Sequence, residues 1–327
     1  MNSNMNPIYS IARGLLIAAL VMSVLFSLAS HSYAYAGNVP QRADTDVLKQ
    51  CAFRLWQQIN AARQNPLATA ARLEIPEHIV RQTFSTQPWV LDRGLPPLAW
   101  NQSLHASASA HGRDMFNRVY YSYVSPEGVT YWDRIQATDY APEDAGETLS
   151  ALFFENFMPL EESFELIVNS MLRDELTGNP SVERNIFNPD FIEMGAAFYA
   201  ESTPLLGDQP YVYLLVADFA RPLEARAYAI GTYPLDCSVV MHPLLTGGWF
   251  QVRTAPATMQ LPVGMFQVVV PHGGADFILV SENGLGAPVD YVTVVAPSDH
   301  QCVVPHMYAT NANAVIALAH EVSQPQP

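Results

Sequence analysis

Few side chains in this sequence stand at a spacing that would do chemistry unaided. His111 and Asp114 lie three positions apart in an alanine-rich stretch. On a helix they share a face, either as a two-residue ligand pair or as a packed histidine with a hydrogen-bonded neighbour. His105 lies six positions earlier, about 240° around a helix, so it cannot join them. His78 and the histidines from His242 onward show no metal-type spacing. There is no Gly-x-Ser-x-Gly, no His-Glu-x-x-His and no Cys-x-x-Cys, which removes the easily recognised hydrolase, metalloprotease and redox arrangements. Gly284-Leu285-Gly286 lacks the third glycine of a dinucleotide loop and reads as a turn.

The cysteines are Cys51, Cys237 and Cys302. In an oxidising compartment a Cys237–Cys302 bridge would close a loop of about 64 residues and contribute roughly 4 kcal/mol. Cys51 is then left over, in an amphipathic stretch where a small buried thiol and a reactive one are the two readings. The aromatic stretch Phe153-Phe154, Phe157, Met158 could contact an apolar ligand or simply pack in a core.

The elements that would hold these residues can be read from periodicity. Apolar positions Val47, Cys51, Leu55, Ile59 and Ala62 recur at helical spacing from Asp46 to Arg63. Residues 66 to 90 are helix-prone but broken by Pro66, Pro76 and Pro88. A second helix is expected over Gln102–Asn117 after Asn101, a short one over Thr130–Gln136, and another from Glu161 to Leu172 with an extended chain beyond it. Two β-rich runs follow, Ile192–Ala200 and Tyr211–Phe219. Helices followed by a strand pair predict an α+β domain over 46–222, after a lead-in at 37–45, with Pro222 as boundary. Beyond it, short runs at 227–230, 239–241, 249–253, 265–270, 277–280 and 291–295 alternate with Gly and Pro turns. They predict an all-β sandwich-like domain over 223–322 and a tail at 323–327.

The N-terminus carries Arg13, an apolar run from Gly14 to Ala29, and Ala34-Tyr35-Ala36 before Gly37. The run is shorter than the roughly 20 residues a membrane-spanning helix needs, and small residues flank the expected cut, so residues 1–36 read as a signal peptide. The mature chain is then expected to be secreted or periplasmic, with no membrane span. With 31 acids against 16 basic residues the net charge is −15, which disfavours nucleic acid as a partner.

Five landmarks in order resemble the CAP superfamily, the SCP-like domains of cysteine-rich secretory proteins, antigen 5 and pathogenesis-related 1 proteins. They are Ile59-Asn60-Ala61-Ala62-Arg63-Gln64-Asn65-Pro66; Gly94-Leu95-Pro96-Pro97-Leu98-Ala99-Trp100 leading to His111-Gly112-Arg113-Asp114-Met115; Ser125-Pro126-Glu127-Gly128 followed by Asp133-Arg134-Ile135; Ala145-Gly146-Glu147; and Arg184-Asn185-Ile186-Phe187-Asn188-Pro189-Asp190-Phe191 running into Glu193-Met194-Gly195. The resemblance implies an α-β-α sandwich for the first domain.

It also implies where a pocket would be. The family's pocket is usually lined by two histidines and two acids, the histidines being ligands in metal-binding members. Here the first acid matches Glu147, the first histidine position holds Tyr123, and the second falls at Val182. Asp174 or Glu175 is the candidate for the second acid, and His111 is a further lining candidate. Without both imidazoles a zinc-like site is not expected, nor is any other cofactor. The leading expectation is a binding module for a small apolar ligand or for an envelope or extracellular protein. The alternatives are a carboxylate-based, cation-dependent hydrolase using Glu147 with Asp174 or Glu175, and a structural envelope protein.

Overall fold

Hydrophobic periodicity places the first helix where the sequence predicts it. In a computed structural model of the chain, α1 spans Thr45–Gln64 and turns Cys51, Leu55, Ile59 and Ala62 inward as expected, with Leu48 in place of Val47, which is exposed. The residues described are 45–179 and 182–232, then, from 237 to 303, the strands and their immediate ends. The expected signal peptide, the lead-in and the tail at 323–327 lie outside them. The three prolines divide the next segment into α2 (Pro66–Arg72), α3 (Glu77–Thr83) and α4 (Trp89–Arg93). Gly94 follows with φ +73°, and a side chain there would strike the Gln64 carbonyl, so the turn needs glycine.

The polar residues of α1 act on backbone. Trp56 Nε1 and Asn60 Nδ2 donate to the Leu98 carbonyl at 2.7 and 3.0 Å, and the Leu98 amide donates to Asn60 Oδ1 at 2.7 Å. This delivers β1 (Ala99–Trp100) to the sheet, parallel to β3 (Glu193–Ser202). Asn101 accepts from the Ser103 and Leu104 amides and so caps α5 (Gln102–Arg118). Thr130 and Asp133 form a reciprocal capping box on α6 (Tyr131–Gln136).

The sheet order is β1-β3-β4-β2, with β4 (Tyr211–Pro222) antiparallel to both β3 and β2 (Pro142–Phe154). Side chains alternate across it. Ala196, Phe198, Leu215, Ala217 and Phe219 join one core with α1 and α7 (Leu160–Thr177), whereas Ala197, Tyr199, Leu214 and Val216 join another with Ala108 and Met115 of α5. The domain is therefore α-β-α in layers, an α+β fold with a mixed sheet.

Two elements differ from expectation. β2 runs continuously for 13 residues through segments that read in sequence as an isolated motif and an aromatic patch. Its sequence starts Pro-Glu-Asp-Ala-Gly and lacks clean alternation, because it is buried irregularly and, among the described residues, pairs only with β4. The chain after Leu172 is not extended. α7 continues to Thr177 and ends on Gly178 at φ +70°, which carries Asp174 and Glu175 into the helix.

Past Pro222 the predicted runs are strands. β5 (Ala227–Thr232), β8 (Met265–Val269) and β11 (Gln301–Val303) make a sheet of order β11-β5-β8. β6 (Cys237–Pro243), β7 (Phe250–Val252), β9 (Ala275–Ser281) and β10 (Pro288–Val294) make another, β10-β9-β6-β7. The side chains of Cys237 and Cys302 lie outside the described ones. Cys51 is buried and free, and burial pushes its thiol up to about 11, so it is an inert packing residue.

Polar contacts among the described residues join these strands to the first domain. Gln267 of β8 accepts from the Trp100 amide at 2.6 Å and donates to its carbonyl at 2.8 Å, closing the outer edge of β1. Tyr228 of β5 donates to Glu193 of β3, a fully buried carboxylate that also receives Tyr140 Oη at 2.6 Å and Asn101 Nδ2 at 2.8 Å.

Candidate functional site

Glu147 sits in β2 directly across from Asp218 of β4, and both are buried. Over them lies α5, brought close by Gly195 of β3, where a side chain would run into the backbone of His105. Ser107 and His111, one turn apart, form the buried polar part of that helix face. Gly146 makes room for Asn185, whose Nδ2 donates to the Glu147 carbonyl at 2.9 Å and to Thr148 Oγ1 at 3.1 Å. The Ala-Gly-Glu landmark thus has a steric reason.

α6 contributes Arg134. Its Nη2 donates to both carboxylate oxygens of Glu147, at 2.8 and 3.0 Å, and to the Tyr123 carbonyl at 3.1 Å; Nη1 reaches the Val129 carbonyl at 3.0 Å. The arginine side chain is only 10% exposed and the Glu147 side chain not at all, so Arg134 lies over the acid as a plug. His111 Nε2 faces two acceptors, the Ser122 carbonyl at 3.0 Å and Glu147 Oε2 at 3.7 Å. The proton of the neutral ring therefore belongs on Nε2.

Burial, followed by the Arg134 charge, pushes His111 down to about 4, which keeps it neutral near pH 7. Asp218 is held well above the usual carboxylate range, first by burial and then by the Glu147 charge. Burial also raises Glu147, against the pull of Arg134. Since the guanidinium touches Glu147, the upward shift of this acid pair falls more on Asp218. Neither Asp218 oxygen makes a hydrogen bond of normal geometry, although Ser107 and Glu147 lie close enough to affect its titration.

The remaining candidates go elsewhere. Tyr123 is 39% exposed on the loop above Glu147. Val182 is half-buried in the turn after α7, its amide bonded to the Asn179 carbonyl. Asp174 accepts from Asn179 at 3.1 Å. Glu175 accepts from the backbone amides of Asn185, Ile186 and Phe187 at 3.0–3.1 Å and so fixes the loop into β3. Glu147 is engaged by Arg134 and Glu175 by backbone amides, so each acid already has its own partners. Among the described residues no three or more His, Cys, Asp or Glu are grouped to hold a metal. Asp114 is bonded to Arg118 and Tyr120 rather than paired with His111. Arg134 and Asp218 are the site residues that periodicity and motif spacing do not single out. The Asp-Arg-Ile landmark marks the first, but nothing in the apolar run of β4 marks the second.

Glu175 yields a pH prediction. Burial raises it to about 8 in the folded chain, against 4.5 for the ordinary group, so the native state binds more protons than the unfolded state between those values. Stability then falls as pH rises through that window. His111, lowered in the fold, contributes the opposite slope only below 6.5, so from pH 6.5 to 8 it does not oppose the raised acids. Melting temperature should fall across pH 6.5–8, and Glu175→Gln should flatten that fall in a pH series of thermal melts. An unchanged slope in the variant would assign it to another group.

A separate apolar cavity of about 170 Å³ opens beside the C-terminal end of α5. Met115 and Phe116 of α5, Phe153 of β2, and Val212 and Leu214 of β4 line it, with half-exposed Tyr121. Of the aromatic stretch only Phe153 reaches it. Phe154 packs edge-on against Tyr213, Phe157 against Tyr211, and Met158 joins the core.

Comparison with known proteins supplies a family. Residues 56–206 match the cysteine-rich secretory protein (CAP) family. Among solved structures, the chain is similar to an extracellular protein containing a SCP domain from Bacillus anthracis str. Ames, at 21% identity and TM-score 0.32, covering 56% of this chain and 45% of that one. The chain thus spans less than half of that protein's length. It is also similar to an outer surface protein from Borrelia burgdorferi, at 17% identity and TM-score 0.35, covering 56% of this chain and 99% of that one. A search of curated proteins found no match. Residues 56–206, which contribute the C-terminal part of α1, the helices α2 to α7 and the strands β1, β2 and β3, carry a CAP-family domain match, and the central strand β4 lies just beyond it.

Proposed function

We propose that the chain is an exported protein whose CAP domain works by binding, and that a small apolar group is what it binds. The observation that carries this is the open apolar cavity beside α5, set against a family pocket position closed by Arg134. A general acid or base must reach the proton it moves. Glu147 is fully buried and already engaged by a guanidinium, and Asp218 lies deeper still, so neither meets that condition. Export is supported by the charged, apolar and small-residue succession over residues 1–36. No helix among the described residues is long and apolar enough to cross a membrane.

The test is thermal melting and isothermal titration of residues 37–327 with benzene and toluene as probes. A ligand at 100 times its Kd stabilises the native state by about 2.7 kcal/mol. Stabilisation should appear in the parent chain, persist in Glu147→Gln, and vanish in Leu214→Trp, which fills the cavity. Equal stabilisation in Leu214→Trp would place binding elsewhere, and no stabilisation by either probe in the parent chain would overturn the proposal.

A further inference from the structure

The wall of this cavity contains a residue held against its own backbone preference. α5 is closed by a bond from the Tyr120 amide to the Met115 carbonyl at 3.1 Å, and one from the Val119 amide to Phe116 at 3.4 Å. That closure needs a left-handed residue at 119, and Val119 supplies it at φ +54°, ψ +57°. Left-handed backbone crowds Cβ against the following carbonyl, and a branched Cβ suffers most. Glycine is the ordinary solution, and the chain uses it at the end of α7, where Gly178 takes φ +70°. Among the described residues the other non-glycine ones with positive φ, Glu74 and Asp139, are unbranched at Cβ.

Helix termination therefore does not account for the valine, but the cavity does. Val119 lines it together with Met115, Phe116 and Tyr120. We infer that Val119 sets the size limit of the cavity, and that the ligand group is a single aromatic ring or a compact branched alkyl group. This rests on the reading of the cavity as a binding site. The remaining volume of about 170 Å³ is close to the roughly 150 Å³ apolar cavity that accepts benzene, and well below the roughly 300–1,000 Å³ of pockets that enclose drug-sized ligands. A branched side chain at 119 narrows the space from the helix end, beside Met115, Phe116 and Tyr120.

The experiment compares the parent chain, Val119→Ala and Val119→Gly, each titrated with benzene and with naphthalene and each melted without ligand. The parent should bind benzene and discriminate against naphthalene at least tenfold; both variants should lose that discrimination. Without ligand, Val119→Gly should melt roughly 2–4 °C above Val119→Ala, because only glycine relieves the left-handed backbone. Benzene binding with unchanged discrimination in both variants would overturn the role of Val119 and leave the cavity as a binding site. Binding of neither probe to any of the three would overturn the binding reading and this inference with it. A lower melting temperature for Val119→Gly than for Val119→Ala would overturn the strain argument.

Discussion

Replacing Arg134 by methionine should destabilise the folded chain by roughly 3–5 kcal/mol, the usual cost of stranding one half of a buried ion pair. Among the described residues the guanidinium is the cation in contact with Glu147, and Asp218 stands directly across the strand pair from that acid. With Arg134 gone, Glu147 must either remain charged in a buried site or take up a proton beside a second carboxyl that burial also holds above its usual range. The loop is lost as well, because the same side chain ties the Tyr123 and Val129 carbonyls to the sheet. Urea denaturation at pH 7 measures the cost.

Glu147→Gln in the Arg134→Met background separates structure from function. A buried pair replaced as a unit is often neutral, so the second substitution should recover a large part of the loss. Recovery of stability together with intact benzene binding would mean that the acid and arginine serve the fold. If the double variant folds but binds no apolar probe, the polar cluster belongs to the binding apparatus after all. That outcome would sink the separation drawn between cluster and cavity.

How much of this is legible in the sequence differs by element, for physical reasons. α1 and α5 can be read because amphipathic period, an Asn cap and flanking prolines all agree. β3 and β4 can be read because strands buried on both faces are runs of apolar residues. β2 cannot. Its Gly146 exists to admit Asn185 and its Glu147 to meet Arg134, so the residues that matter there break the strand pattern. Asp218 is hidden by the same logic, as one acid inside an apolar strand whose meaning depends on a neighbour 71 positions away in sequence, Glu147. The cavity is invisible because its lining comes from the end of a helix, an edge strand and a central strand, none of which signals a void. Asp174 and Glu175 are recognisable as acids near the family's pocket. That α7 turns Glu175 onto three backbone amides is a matter of helix length, where boundary readings are weakest.

Arg63→Met should be the other severe substitution, at about 4 kcal/mol, and it explains why the landmarks of the resemblance speak for fold. Arg63 is 1% exposed. Its guanidinium donates to the carbonyls of Pro96, Ile186, Asn188 and Phe191 at 2.6–3.2 Å, tying the approach to β1 to the approach to β3. Each buried carbonyl left without a donor costs about 1–3 kcal/mol, and methionine replaces only the stem. Lysine should rescue little, since one ammonium cannot reproduce a planar fork facing four oxygens. Measured by urea denaturation, a loss under about 1 kcal/mol would show that water takes over those carbonyls. Asn60 on Leu98, Asn65 capping α2 and Glu175 on the Asn185–Phe187 amides act in the same manner, side chain on backbone. Residues that hold backbone in register are indifferent to what the surface binds. A chain can therefore keep all five landmarks whatever its surface binds.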